Sequence, residues 1–523
     1  MTATKLLLLN PANGPSFWGL DHAVDIIGCA YSNAPLALIT VAALTPDDWQ
    51  VALCDENVQP VDLDFPCDVV GITAMNVQAT RAFELADAFR ARGRTVVMGG
   101  PFATLDPDRC QPHVDVVFAG EAERTFPAFC RDFAAGDAVS RYTQADHIDL
   151  AESPVPRYDL LRPAAYAALP VQTTRGCPFN CEFCDIIVMS GRRVRTKPAS
   201  QVLAEIDAIR ALGHESIFFT DDNFVGKLGA ARDLLVAMRQ HFRATGDRPL
   251  LFTQASVNLA DQADLLELMV EAGFTRVFLG IESPRQESLR EAGKRQNVRG
   301  DLVARIHAIQ RAGLMVWAGM IVGFDHDDAG IFAEQEAFLD EAGIAVAMVG
   351  LLNAPPRTPL FARLQAAGRI AAGSDWTDNC AWTNIIPKQM TRGELFTGYA
   401  ELLARIYSQE SYARRVLANI GRMGPPRQDS QKAARLPGVA DLAHFARAAA
   451  LFTLSPRAER RRHFLPNLLR VLRNQPRRAV EAAIHLGLWR HFERYVPDLV
   501  DRLRAATARE SLSALAVTDR CLV

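Results

Sequence analysis

Three cysteines stand within eight residues, at Cys177, Cys181 and Cys184 in the stretch TTRGCPFNCEFC. The spacing C-x3-C-x2-C gathers three thiolates and offers no fourth. A structural zinc ion takes four Cys or His ligands, and the nearest other cysteines in sequence, Cys130 and Cys380, form no second CxxC. A disulfide would leave one thiol over. A 4Fe–4S cluster held by three thiolates instead keeps one iron without a protein ligand, an open position where a substrate or cofactor can chelate.

The elements that must position these thiolates come in two alternating series. The first 135 residues carry strand-like runs KLLLLN (5–10), QVALCD (50–55), DVVGIT (68–73), RTVVMGG (94–100) and VDVVFAG (114–120), separated by helical stretches. Continuous apolar strands between helices predict a parallel sheet covered on both faces. Its ligands would bind beyond the carboxyl ends of the strands. Those ends carry Thr73, Ala74 and Met75, then Gly99, Gly100 and Pro101, then Gly120 and Glu121. The glycines would admit a large ligand close to the backbone, and they suit ordinary tight turns equally well.

A proline-punctuated connector, AESPVPRYDLLRP (151–163), leads to the second series. Its strands read PVQTTRG, SIFFTDDN (216–223), LLFTQAS (250–256), RVFLGIES (276–283), MVWAGMIVGFD (315–325) and VAMVGLLNAPP (346–356). Six such units predict a partial or complete barrel with its site at the C-terminal ends of the strands. The cysteine triplet falls there, as do Asp221, Asp222, Asn223, Ser256, Glu282 and Asp325. Asp222 and Asn223 would also serve as a helix N-cap pair. Trp317, Met320, Trp376 and Trp382 could wall an apolar pocket, although aromatics more often belong to a core. Beyond residue 371 the pattern becomes helical and, after a break at GRMGPPRQDS, dense in arginine.

Composition narrows the function classes. A chain of 523 residues, 49% hydrophobic and 22% charged, has the balance of a soluble globular protein of two or three domains. A net charge of −3 gives no footprint for nucleic acid. The ten cysteines are scattered, which suits reduced thiols in the cytoplasm. The four leucines near the start are too few for a secretory core, and no apolar run is long enough to span a membrane.

The motif C-x3-C-x-φ-C, with Phe183 as its aromatic, on the first strand of a six-stranded barrel resembles the signature of radical S-adenosylmethionine enzymes. FFTDDN, GIES (280–283) and GMIVG (319–323) fall where that family contacts the methionine amino group, ribose and adenine. The resemblance covers about 170–370 and implies a 4Fe–4S cluster on Cys177, Cys181 and Cys184. It further implies S-adenosylmethionine contacts from Phe183, Asp221, Asp222, Asn223, Gln254, Ser256, Gly280, Glu282, Gly319 and Gly323.

A preceding five-stranded parallel domain with ITAM, GGP and GEAE segments resembles the cobalamin-binding subclass of that family. Cobalamin contacts then fall on Ser32, Asn33, Thr73, Ala74, Met75, Gly99, Gly100, Pro101, Gly120 and Glu121. The D-x-H-x-x-G motif that supplies a lower histidine ligand is absent, which implies base-off binding. SFW (16–18), Ser32-Asn33 or water are left as lower-face neighbours. The segment MVGLLNAPPRTPLFARL and the helical tail resemble the extension of hopanoid C-2 methylases.

The fold expected is therefore α/β. A flavodoxin/Rossmann-like cobalamin-binding domain (1–140) and a linker (141–169) precede a partial (β/α)6 radical barrel (170–370) and a mainly helical extension (371–523). The function implied is methyl transfer to an unactivated or weakly activated carbon. A cyclisation, a ring contraction or transfer of another S-adenosylmethionine fragment is the alternative, and a cobalamin or redox sensor the less favoured one. Implied partners are a small, hydrophobic or lipid-like substrate and an external one-electron reductant such as a flavodoxin or ferredoxin. The arginine-rich helices would reach a membrane surface or form a solvated bundle.

The open cluster makes a direct prediction. Anaerobic protein should hold one 4Fe–4S cluster, and alanine at Cys177, Cys181 or Cys184 should abolish it, read by iron analysis and electron paramagnetic resonance. Alanine at Cys29, Cys54, Cys67, Cys110, Cys130, Cys380 or Cys521 should leave it intact. Zinc in place of iron would end this reading.

Overall fold

The computed structural model describes residues 3–371, 375–377, 380–424, 447 and 450–520. Part of the expected GRMGPPRQDS break, and Cys521, lie outside the described residues. The first sheet forms from β1 (Lys5–Asn10), while β2 (Tyr31–Asn33) leaves it for the barrel. The sheet continues through β3 (Gln50–Asp55), β4 (Val69–Thr73), β5 (Thr95–Gly99), β6 (Val116–Ala119) and β7 (Arg141–Thr143), in the spatial order β3-β1-β4-β5-β6-β7. All pairs are parallel. Leu7, Leu9, Val70, Ile72 and Met98 face one core, and Leu6, Leu8, Val69, Val97 and Phe118 face another. Burial on both sides is why these strands read as unbroken apolar runs.

The barrel opens with β8 (Tyr166–Val171). A two-stranded antiparallel ribbon of β9 (Thr174–Arg175) and β10 (Arg195–Thr196) brackets the cysteine loop. The other strands are β11 (Ser216–Phe219), β12 (Leu250–Ala255), β13 (Phe274–Glu282), β14 (Met315–Val322) and β15 (Ala347–Leu351). Their order, β15-β14-β13-β12-β11-β8-β2, adds a seventh strand to the six expected. Along β13, Val277, Leu279 and Ile281 are fully buried on the helix-covered face, while Arg276, Phe278 and Gly280 line the partly accessible inner face. This alternation is the two-residue period of a strand.

Two boundaries differ from the sequence expectation. Residues 31–33, counted with the first domain, pair with β8 through Tyr31↔Tyr166 and Asn33↔Ala168. Residues 141–143, counted with the linker, pair with β6 as a sixth strand. Short strands of three residues carry too little pattern to assign a partner.

The helices Arg392–Ile406 and Gln409–Arg422 pack on the barrel helix Ile331–Ala342, and the helix Ala479–Arg520 packs on both of them. Thr391 and Glu394 cap the first of these reciprocally. The N-terminal segment crosses to this bundle, where Phe17 meets Phe492 and Arg490 pairs with Asp25 at 2.9 Å. The four candidate wall residues do not converge. Trp317 lies on the inner barrel face, Met320 on the helix side, Trp376 against Phe102 of the first domain, and Trp382 against Phe396. Among the described residues no helix is long and apolar enough to cross a membrane.

Candidate active site

The cysteine loop is held by carboxylates at the end of β11. Asp221 accepts from the Thr173 amide at 2.6 Å, the Thr173 hydroxyl at 2.5 Å and the Thr174 amide at 2.7 Å. Asp222 accepts from the Gly176 amide at 2.8 Å. Burial lifts both carboxyls to about 6 in spite of these bonds. Both residues, expected at S-adenosylmethionine, thus accept hydrogen bonds from the loop. The strand ends at Phe219 because the polar residues beyond it turn toward these amides.

Asn223 donates to Ser256 Oγ at 3.0 Å and reaches Cys177 Sγ at 3.9 Å. Gln296 Nε2 reaches Cys181 Sγ at 3.9 Å. No cysteine described is in a disulfide. Burial raises the thiols of Cys177, Cys181 and Cys184. Lys294 stands among them and pairs with Glu282 at 2.5 Å. Burial works against its charge, but Glu282 and the nearby sulfurs more than offset this and hold the ammonium above its usual range.

Glu282 has φ 69°, a left-handed conformation that costs a residue with a side chain and recurs at ligand sites. Asn297 fixes it by donating to the carbonyls of Gly280 and Ile281, each at 2.9 Å. A Cβ on Gly280 would come within 2.5 Å of Glu282 Oε1 and 2.8 Å of Lys294 Nζ. Gly319 makes room for the Phe278 ring, 3.1 Å from where its Cβ would be, and Gly323 faces Leu395 of the C-terminal bundle. Gln254 lies partly accessible on the inner face. Phe183 packs against Phe324 with Lys294 over its ring.

At the edge of the first sheet, Met75 and Val77 are exposed apolar residues on the loop after β4. Ala74 closes against Gly99, and Pro101 starts a short helix. Gly100, at φ 93°, admits Thr73 Oγ1 to 2.6 Å of a would-be Cβ, and Gly120, at φ 107°, admits Gln144 Oε1 to 2.5 Å. These two glycines serve the chain's own close packing, whereas Gly99 has only Phe118 at an ordinary 3.5 Å. Ser32 donates to the Trp18 carbonyl and accepts from Asn33. Trp18 itself packs against Phe278 inside the barrel, with ring centres 4.8 Å apart.

Glu121 joins the two halves. It pairs with Arg195 at 2.6 Å and Arg175 at 3.3 Å, while Arg175 also pairs with Glu123 at 2.7 Å. Arg175 and Arg195 are directly opposed across the ribbon of β9 and β10. Two guanidiniums side by side would repel, and the shared carboxylate makes the arrangement possible. From the other side, Arg363 pairs with Glu182 between Cys181 and Phe183 at 2.6 Å, and with Asp325 at 2.8 Å. Sequence reading missed Arg175, Arg195, Lys294 and Arg363. Only Arg175, two residues before the first cysteine, carried a positional signal.

Comparison with known proteins fits this geometry. Residues 25–130 match the B12 binding domain, 171–332 the radical SAM superfamily and 358–505 a domain of unknown function, DUF4070. The chain is 35% identical to an uncharacterized methyltransferase, sll1242, of Synechocystis sp., over 90% of this chain and 88% of that one. It is 30% identical to the hopanoid C-2 methylase of Rhodopseudomonas palustris, over 79% of each chain. The chain belongs to the cobalamin-dependent radical S-adenosylmethionine methyltransferases. Its fold is shared with the cobalamin-dependent radical enzyme OxsB (TM-score 0.61, 15% identity, 99% of this chain and 81% of that one). It is shared also with the methyltransferase TsrM from Kitasatospora setae (TM-score 0.58, 18% identity, 71% and 77%).

The residues present fit the cofactors of this methyltransferase family. Three unpaired thiols share one loop, yet no group of three His, Cys, Asp or Glu among the described residues converges as a site for a single ion. A donor set of that kind suits a cluster better than zinc. Around it Thr174 Oγ1, Gln296 Oε1 and Asn297 Oδ1 are shut from solvent with no partner among the described residues. Such atoms normally find one, and a polar cofactor would supply it. At the sheet edge Asn76 Oδ1 is in the same state between the exposed Met75 and Val77, as is Nε1 of Trp376, whose ring stacks on Phe102. An apolar ring system with amide substituents suits them.

The Glu121 junction has a measurable signature. Burial alone would raise this carboxyl, but Arg195 and then Arg175 hold it at about 2 against an ordinary 4.5. That depression is worth roughly 3 kcal/mol above pH 4.5, and it is lost as pH falls toward 2. Glu121→Gln should lower stability at pH 7 by about 2–3 kcal/mol and flatten the acid dependence below pH 4.5, measured by denaturant titration at several pH values. Identical acid profiles for the two proteins would rule the junction out.

Proposed function

We propose that the enzyme methylates an unactivated or weakly activated carbon of an apolar, lipid-like small molecule held inside the barrel. The observation that supports it most is the Arg175–Glu121 junction, which joins the cysteine loop to the edge of the B12 binding domain. When bound, the cluster with S-adenosylmethionine supplies hydrogen abstraction from carbon and cobalamin supplies the methyl group.

The chain's own residues would divide the work. Cys177, Cys181 and Cys184 would hold the cluster. Asp221 and Asp222 fix their loop. Asn223, Ser256, Gln254 and Glu282 would orient S-adenosylmethionine, with Gly280 leaving space beside Glu282. Thr73, Met75 and Gly99 would bear the corrin, with Ser32 and Asn33 at the neighbouring edge of the barrel sheet. The aromatic inner face would exclude water from the substrate carbon. An external one-electron donor is required because the described residues offer no second cysteine group. The likeness to a hopanoid C-2 methylase supports a hopanoid-like substrate.

The helix Leu465–Asn474 adds an observation of its own. Leu465, Leu469 and Leu472 follow one another on an exposed face, beside the buried stripe of Leu468 and Val471. Leu454, Val480 and Ile484 are exposed on neighbouring segments, and Arg461, Arg462, Arg470, Arg473 and Arg477 are exposed too. Leucines framed by arginines fit an anionic lipid surface. This face would bring the barrel to a membrane that holds the substrate.

Two measurements test these readings. With methyl-deuterated S-adenosylmethionine, a low-potential reductant and a lipid extract of the host cells, the reconstituted enzyme should yield a product carrying the labelled methyl. Deoxyadenosine and S-adenosylhomocysteine should then appear in equal amounts after correction for uncoupled cleavage. An unlabelled, rearranged product would defeat the methyl-transfer reading. In sedimentation at low salt the protein should follow phosphatidylglycerol vesicles and not phosphatidylcholine ones, and Leu469→Asp should weaken this at least fivefold. Absence of binding to the anionic vesicles would dispose of the membrane face.

A further inference from the structure

Arg276 lies on the inner face of β13 with no acid to neutralise it. Its guanidinium carbon is 4.4 Å from the ring centre of Phe252 on β12 and 5.2 Å from that of Trp317 on β14. Among the described residues no carboxylate pairs with it, and its Nε is shut from solvent with no acceptor. The ionisable group that feels its charge is His485, which reaches in from the C-terminal helix. His485 cannot compensate it. Its Nδ1 stands 2.8 Å from the Glu481 carbonyl, and its Nε2 accepts the Trp317 indole N–H at 3.3 Å. Those bonds fit the neutral ring, and burial, with Arg276 adding to it, pushes the histidine down to about 4. Burial brings Arg276 down to about 10, so it stays charged near neutral pH.

A cation half-buried among aromatic rings without a counter-charge is costly. Two aromatic faces offset part of this cost, but they leave the buried Nε–H without an acceptor. The fold has no need of a charge here, since the neighbouring inner positions hold Phe218, Phe252, Phe278 and Trp317. Arginine presents a planar fork matched to a carboxylate or phosphate.

We propose that Arg276 is a specificity-determining residue that binds an anionic group, a carboxylate or phosphate, at the far end of the substrate. The proposal rests on the reading that substrate occupies the barrel interior. It changes the ligand class from a plain hydrocarbon to an amphiphile with an apolar body and one acidic end. Four steps along β13 separate Arg276 from Gly280 at the cluster end. That is about 13 Å of strand, so the acidic group lies roughly that far from the carbon that reacts. Phe252 stands level with Arg276, and Phe278 and Trp317, level with each other one pleat nearer the cluster, flank the body between.

Decanoate and decan-1-ol, equal in length and different only at the head, serve as probes of the reconstituted full-length enzyme by titration calorimetry. The wild type should bind decanoate at least tenfold more tightly than the alcohol. Arg276→Lys should keep a reduced preference and Arg276→Gln should lose it to within twofold, the proteins being compared at equal cluster and corrin content. Equal affinities in the wild type, or an undiminished preference in Arg276→Gln, would overturn the assignment. Failure of the wild type to bind its cluster or corrin would count instead against the reaction proposed above, so the two can be told apart.

Discussion

Everything near the chemistry depends on two arginines that share one carboxylate. Arg175 and Arg195 face each other across a ribbon of two-residue strands, too short to persist by backbone pairing alone. Glu121, from the first domain, lies between them and turns a repulsive pair into an attractive trio. The cysteine loop leaves one arm of this ribbon and returns along the other. Its position relative to the sheet edge of the B12 binding domain is therefore set by a charge network together with the apolar contact that Val188 and Met189 make with that domain's core. Buried ion pairs of this sort contribute little net stability for their desolvation cost, but they tolerate only a narrow geometry. Two cofactors that must meet one carbon atom need that property more than they need stability.

The same loop is fastened from two other directions. Asp221 and Asp222 take its backbone amides, and Arg363 takes Glu182 in its middle, while the Leu360 amide donates to the Glu182 carbonyl. The C-terminal extension thus begins as a brace for the cysteine loop before it becomes a helical bundle. Cross-links from all three parts of the chain converge on a dozen residues.

Much of this was legible in the sequence. The apolar strand runs and the cysteine spacing announced two parallel α/β units and a cluster with an open position, because burial on two faces and metal ligation both leave dense local patterns. What escaped was long-range. Arg195 and Glu121 are 74 residues apart; Arg195 looks like an ordinary surface charge and Glu121 was read only as a strand-end ligand contact until the fold brings them together. The three residues of β2 carried no periodicity to show that they pair with β8. The strand-end glycines were read as space for a ligand or as ordinary tight turns; their closeness to Thr73 and Gln144 had no local pattern to announce it. Asp221 was placed by the family resemblance, and its bonds to the Thr173 and Thr174 amides, nearly fifty residues away, had no local signal either.

The outer strand β2 has a consequence for how the molecule comes into being. During synthesis the first sheet can close as soon as residue 143 emerges, because its strands pair with one another. Residues 17–33 cannot settle then, since their partners include Tyr166 on β8 and, farther on, Arg490 and Phe492. A looped-out N-terminal segment with an unpaired strand edge must wait until nearly the whole chain has been made, and such edges invite wrong pairing while they wait. The finished molecule is fastened at both ends like a clasped belt. Its parts cannot be exchanged one at a time with those of a relative unless the segment that closes the clasp travels too.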